Sequence, residues 1–194
     1  MRMLSDTSRV LIVSLIGLAF LIISVDVTAF PSTRRDPAMV WSGEANGIIL
    51  FGGQSLADAA GNRYQYGDTW KFTGLRWVRL YPENAPSPRF GMSMVYDSNR
   101  DRILLFGGGA GEASLADTWV YEDENWTELD TPNAPTNRRS AGMAFDPVRD
   151  RVVLFGGLGV DDESIFDTWE FDGTTWIATQ TAGGPQVPNP SLAY

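Results

Sequence analysis

The chain has 194 residues, with Lys+Arg 15 against Asp+Glu 24 and a net charge of -9. Phosphate binding needs a basic footprint, so this balance excludes nucleic acid as a partner. Cysteine and histidine are both absent, which removes disulfides, thiol nucleophiles, the commonest general base and the commonest transition-metal ligand.

The N-terminus reads as an export signal. Arg2 and Arg9 flank a polar start, and an almost wholly apolar run, VLIVSLIGLAFLIISV, follows from Val10 to Val25. VTA at 27–29 then sets small residues for cleavage after Ala29. The pattern predicts a hydrophobic helix within a segment 1–29 that acts as a signal peptide or as a retained signal anchor. The run is shorter than the ~20 residues of a spanning helix, and Asp26 ends it, which favours cleavage. Either fate places residues 30–194 outside the cytoplasm: secreted, periplasmic or at the cell surface. The membrane enters only through that anchor.

Beyond it the chain repeats. Residues 84–108, NAPSPRFGMSMVYDSNRDRILLFGG, match 133–157, NAPTNRRSAGMAFDPVRDRVVLFGG, at 13 of 25 positions with a shift of 49. DTWKF at 68–72, DTWVY at 117–121 and DTWEF at 167–171 follow in order, and Trp77, Trp126 and Trp176 come next in the same phase. Each unit holds four short runs between turn signals, the pattern of an antiparallel meander. Strand A is AMVWS, GMSMVYD or AGMAFD. Strand B is an apolar run ending in FGG, suited to a strand covered on both faces. Strand C is the DTW segment, with alternate aromatics on one face, and strand D begins at the Trp. A repeat near fifty residues of this kind predicts propeller blades, placed at 34–80, 86–129 and 136–179.

Gly52 and Gly53, Gly107 and Gly108, and Gly156 and Gly157 close strand B, where backbone turns or meets another segment closely. No helix follows them, so they are no phosphate loop. Asp68, Asp117 and Asp167 are expected to bond local backbone or a repeat arginine. The first unit departs from the others: GEANG replaces DSNRDR, so the turn Asp and Arg are missing, and its B–C loop, 54–67, is longer. In a meander the A–B and C–D turns emerge on one face, and the B–C and D–A connections on the other. Binding concentrates where loops vary on a repeated scaffold. Adding 49 to Tyr96 reaches Phe145, and again Tyr194, so 186–194 reads as the first strand of a fourth unit. The expectation is a propeller that continues in further sequence, or that self-associates through open blade edges.

The units resemble kelch repeats: ILLFGG and VVLFGG, then DTWVY and DTWEF, then NWTEL and TWIAT, in a fixed order across 34–194. The resemblance implies an all-β, partial kelch-type β-propeller of the galactose oxidase/kelch-like superfamily, with three four-stranded antiparallel blades plus the first strand of a fourth. It also implies that strand A lines a central channel. Arg34, Arg89 and Arg138, which open strand A on the D–A side, would then form a ligand-facing ring at its mouth, with Val187 at the fourth place. The competing reading pairs each arginine with a loop carboxylate of its own blade. The function implied is a non-catalytic module that binds a protein or glycan, with no cofactor and no metal. EDEN at 122–125 and DDE at 161–163 fit no calcium-loop spacing and read as solvated turns. The alternative is a fragment of a kelch propeller enzyme, a galactose-oxidase-like oxidase or a sialic-acid mutarotase, with its active residues outside this chain. The copper chemistry of the former needs His ligands and a Cys-modified Tyr, and this chain has neither.

Overall fold

A computed structural model describes residues 9–16, 19–26, 30–179 and 190–193. It begins with an antiparallel hairpin of β1 (Arg9–Ile16) and β2 (Ala19–Asp26), paired from Arg9 opposite Asp26 to Ile16 opposite Ala19. This corrects the helix expected over the apolar run. Val10, Ile12, Val13, Ile16, Ile22, Ile23 and Val25 are β-branched, stiff at χ1 and better suited to a pleated surface. Among the described residues no helix is long and apolar enough to cross a membrane. The cleavage point at 27–29 lies outside the described residues.

Three four-stranded antiparallel sheets follow, each in meander order. Blade 1 is β3 (Ala38–Ser42), β4 (Gly47–Phe51), β5 (Thr69–Phe72) and β6 (Trp77–Leu80). Blade 2 is β7 (Ser93–Asp97), β8 (Arg102–Ala110), β9 (Ala113–Glu122) and β10 (Asn125–Leu129). Blade 3 is β11 (Gly142–Asp146), β12 (Arg151–Leu158), β13 (Ser164–Phe171) and β14 (Trp176–Thr179). The inner strands β3, β7 and β11 stand side by side. Residues 190–192 run along β11 and line the same inner groove. Of the expected fourth-unit strand, 186–189 and Tyr194 lie outside the described residues.

The period-2 geometry of a strand explains the apolar B runs. Along β8, Ile103 and Leu105 point into one core, shared with Ile49 and Phe51 of blade 1. Leu104 and Phe106 point into a second core, shared with Met143, Leu154 and Trp176 of blade 3. A central blade has no solvent face, so its middle strand alternates between two neighbours and is apolar throughout. The strand-D tryptophans hold these joints. Trp126 stacks on Phe51 of blade 1 at 5.2 Å and donates its indole N–H to Thr69 Oγ1 at 3.0 Å. Trp176 repeats both contacts one blade later, on Phe106 at 5.3 Å and to Thr118 Oγ1 at 3.0 Å. Trp77 stacks on Phe72 within blade 1.

The glycine pairs mark a second seam. Gly53 donates its N–H to the carbonyl of Arg89 in the next blade at 2.8 Å, and Gly108 to that of Arg138 at 3.0 Å. Gly52 and Gly107 sit at φ +64 and +63, where a Cβ would lie 2.6 Å from those same carbonyl oxygens. Left-handed backbone and close approach both demand glycine there. Gly156 and Gly157 make the same bend in blade 3.

Candidate binding surfaces

Arg34, Arg89 and Arg138 occupy equivalent places and make the same bonds. Arg89 donates from Nε to the carbonyl of Ser87 at 3.0 Å and from Nη1 to that of Gly107 at 3.0 Å. It also donates to Ser87 Oγ at 3.0 Å and, bidentately, to both oxygens of Asp117 at 2.6 and 2.8 Å. Arg138 bonds Thr136, Gly156 and Asp167 in this pattern. Arg34 does so with Ser32, Gly52 and Asp68. A guanidinium has five N–H donors, and here all five are spent. The ring expected to face a ligand is therefore built inward, as three clasps that tie the entry of strand A to the end of strand B and the start of strand C.

Each clasp carboxylate has a further donor. Trp70, Trp119 and Trp169 give their indole N–H to Asp68, Asp117 and Asp167 at 2.6, 2.7 and 2.9 Å. Burial pushes all three carboxyls up. The arginine and tryptophan donors, with the arginine charge, outweigh it and hold them below the ordinary value. A DTW tripeptide thus supplies a clasp acid, an interblade acceptor and a donor in three consecutive residues.

The loop face is uneven. Blade 2 carries the B–C connection as extended strands and blade 3 as strands joined by a 3-10 turn at Val160–Asp162, whereas blade 1 uses the loop 54–67. That loop is internally braced. Asp58 Oδ1 accepts the N–H groups of Ala60 and Asn62 at 2.9 and 2.8 Å, and Ser55 and Tyr64 exchange two bonds at 2.8 and 2.9 Å. The brace holds up an aromatic platform. The guanidinium carbon of Arg34 lies 4.2 Å from the Tyr66 ring centre, and Tyr64 meets Tyr66 edge to face at 5.1 Å. Tyr64 is 67% exposed. Beside it runs a groove of about 540 Å³ lined by Phe30, Tyr64, Tyr66, Trp70, Asp68 and Arg79. Only the extra loop length signalled this site in the sequence. Leu115 and Ile165 stand at the places matching Tyr66, so the platform is particular to blade 1.

On the opposite, turn face, Arg100 spans the joint between blades 2 and 3. It donates to both oxygens of Asp150 at 2.8 and 2.6 Å, to Asp97 at 3.1 Å and to the carbonyl of Asp172 at 3.0 Å. Of the acidic clusters, Asp162 pairs with Arg139. Among the described residues no three carboxylates converge as metal ligands.

Meander blades packed face to face and joined by tryptophans and glycine seams define a segment of a β-propeller. The KLHDC2/KLHL20/DRC7 Kelch-repeats domain model matches residues 23–193, and the chain belongs to the kelch-repeat family. The solved structure of YjhT is similar, with a TM-score of 0.64 at 14% identity over 86% of this chain. At that identity the likeness shows the fold alone, and the chain spans 57% of that structure's length. No curated protein matches the chain.

Proposed function

We propose that this kelch-repeat chain is an exported, non-catalytic binding module that holds a protein partner on the loop face of blade 1. The braced platform of Tyr64 and Tyr66 carries the reading. Rigid aromatic side chains beside an arginine are the composition of interface hot spots, because they give large contact area at low entropy cost. The signal-like segment 1–29 supports export. The lack of histidine and cysteine supports a binding role over an oxidase.

The test is photo-crosslinking in the native host, with a photoreactive residue at Tyr64 or, as control, at Leu75, which is 93% exposed in the C–D turn of blade 1. A discrete protein adduct from position 64 and none from 75 is the expected result. Retention on a glycan array that Tyr64→Ala abolishes would transfer the site to a carbohydrate. Sugar oxidation or copper uptake by the intact gene product would replace the reading with the enzymatic one.

A further inference from the structure

On the turn face, a cavity of about 360 Å³ opens between blades 1 and 2, lined by Glu44, Ala45, Lys71, Tyr121, Asp123 and Glu124. The neighbouring joint shows what such a place holds. Ser42 pairs with Gly47, Asp97 with Arg102 and Asp146 with Arg151, each pair flanking a four-residue A–B turn. Asn46, Asp101 and Asp150 share the turn's left-handed last position, at φ 45, 51 and 55. Ala45 therefore stands where Arg100 stands one blade later. At the joint of blades 2 and 3 the Arg100 guanidinium fills the space beside Gly173, whose Cβ would lie 2.5 Å from its Nε. At the joint of blades 1 and 2 there is a methyl group and a cavity.

The walls differ in the matching sense. Tyr121 takes the place of Phe171, two residues after the DTW tryptophan. It is 1% exposed, and its hydroxyl is buried without a hydrogen-bond partner. A buried hydroxyl left unpaired forfeits the bonds that water would give it. Burial, then Glu124 and Glu44, push this phenol up to about 12, so it remains a neutral group able to accept a bond. Glu44 accepts the Asp123 N–H at 2.7 Å and donates its own N–H to Asp101 at 3.0 Å. Burial, then the charges of Asp101, Asp123 and Glu122, raise the Glu44 carboxyl. Lys71 is the cation at the wall, outnumbered by Glu44, Asp123 and Glu124. Carboxylates that do not converge suit a broad, planar cation rather than a metal ion.

We propose that this cavity binds a guanidinium group, supplied by an arginine side chain of a protein partner. The chain itself supplies the equivalent group, Arg100, at the next joint. The site lies on the face opposite the Tyr64 platform, and its test does not depend on that reading.

The test is an NMR titration of the full chain carrying ¹³C-labelled tyrosine, with the tripeptide Gly-Arg-Gly, with N-acetylarginine amide and with N-acetylcitrulline amide. Saturable shifts at Tyr121 are expected for the arginine probes, with the uncharged citrulline at least about tenfold weaker. Ala45→Arg, which places the missing side chain in the cavity, should abolish binding. Tyr121→Phe should weaken it by about tenfold. Should Ala45→Arg not fold, Asp123→Asn provides the second variant, with a similar weakening. Tighter binding of the tripeptide supports the protein source. Tighter binding of the small amide keeps the guanidinium site and overturns that source. Citrulline binding equal to arginine, or unchanged binding by folded Ala45→Arg, overturns the site.

Discussion

At the joint of blades 1 and 2, Trp126 stacks on Phe51 and donates to Thr69. At the joint of blades 2 and 3, Trp176 stacks on Phe106 and donates to Thr118. The glycine seams match as well. The turn face does not: Arg100 bridges the second joint through Asp150 and Asp172, while the first has Ala45, Glu44 and a tyrosine hydroxyl. The contrast separates two kinds of constraint. Every joint must bury two sheet faces and satisfy its indole, and every blade must satisfy its own clasp guanidinium, so those residues recur. Residues at a solvent-lined turn carry no such obligation, and they are where one blade differs chemically from the next.

Removing a clasp tests most severely whether the blades share one frame. Arg89→Ala leaves Asp117 and the Gly107 carbonyl without their partner, and breaking a buried pair costs about 3–5 kcal/mol. Urea unfolding followed by tryptophan fluorescence should show that loss. Arg138→Ala should cost less, because the Asp167 side chain is 43% exposed against 21% for Asp117 and can recover water. Equal losses would mean that exposure of the acid does not set the strength of the clasp.

The staples come next. Trp126→Phe keeps the ring stack but strands the buried Thr69 hydroxyl, a loss of about 1–3 kcal/mol. Trp176→Phe should cost less, because the Thr118 hydroxyl keeps the Thr131 hydroxyl at 3.3 Å as a partner. Differential scanning calorimetry of the two variants decides whether the cores are equivalent. A smaller loss of about 1 kcal/mol is expected for Arg100→Ala, whose guanidinium is only part-buried. Adding Phe171→Tyr should then give the second joint the cavity and hydroxyl of the first. Gain of arginine binding by this double variant would show that those two positions carry the difference between the joints.

Much of this frame was legible in the amino-acid sequence. The shift of 49, the FGG endings and the DTW segments placed all three blades, because interactions that recur at every joint leave recurring letters. The clasp was half legible. Asp68, Asp117 and Asp167 were expected to meet backbone or a repeat arginine, yet Arg34, Arg89 and Arg138 were also set at the channel mouth. Spacing gives a residue's address but not how many of its donors are already spent. The Tyr64 platform and the Tyr121 cavity were not legible as sites. Both lie where blade 1 breaks the repeat, and a break shows in a sequence only as the extra length of 54–67 or the missing arginine of GEANG. The N-terminal hairpin was misread because apolar content dominates the reading of such a run, although its β-branched residues favour strands.

The smallest predicted effect concerns the sign of the pH dependence at the two joints. At the second joint, Arg100 and Asn99 donate to Asp150 and lower its pKa from the ordinary 3.8. The folded form then binds fewer protons than the unfolded one just below that pH, so this stabilisation is present above about pH 4 and is lost as the pH falls through the lowered pKa. The clasp acids act in the same direction. Glu44 at the first joint is raised above 4.5, so the folded form holds its proton more tightly. Its contribution is present below pH 4.5 and is lost as the pH rises through the raised pKa. Glu44→Gln can still accept the Asp123 N–H, and it removes that loss. The variant should therefore melt slightly above wild type at pH 7, with the gap closing as the pH approaches 4. A gap that widened on acidification would mean that the Glu44 charge stabilises its joint as Asp150 does, and the electrostatic contrast between the two joints would be wrong.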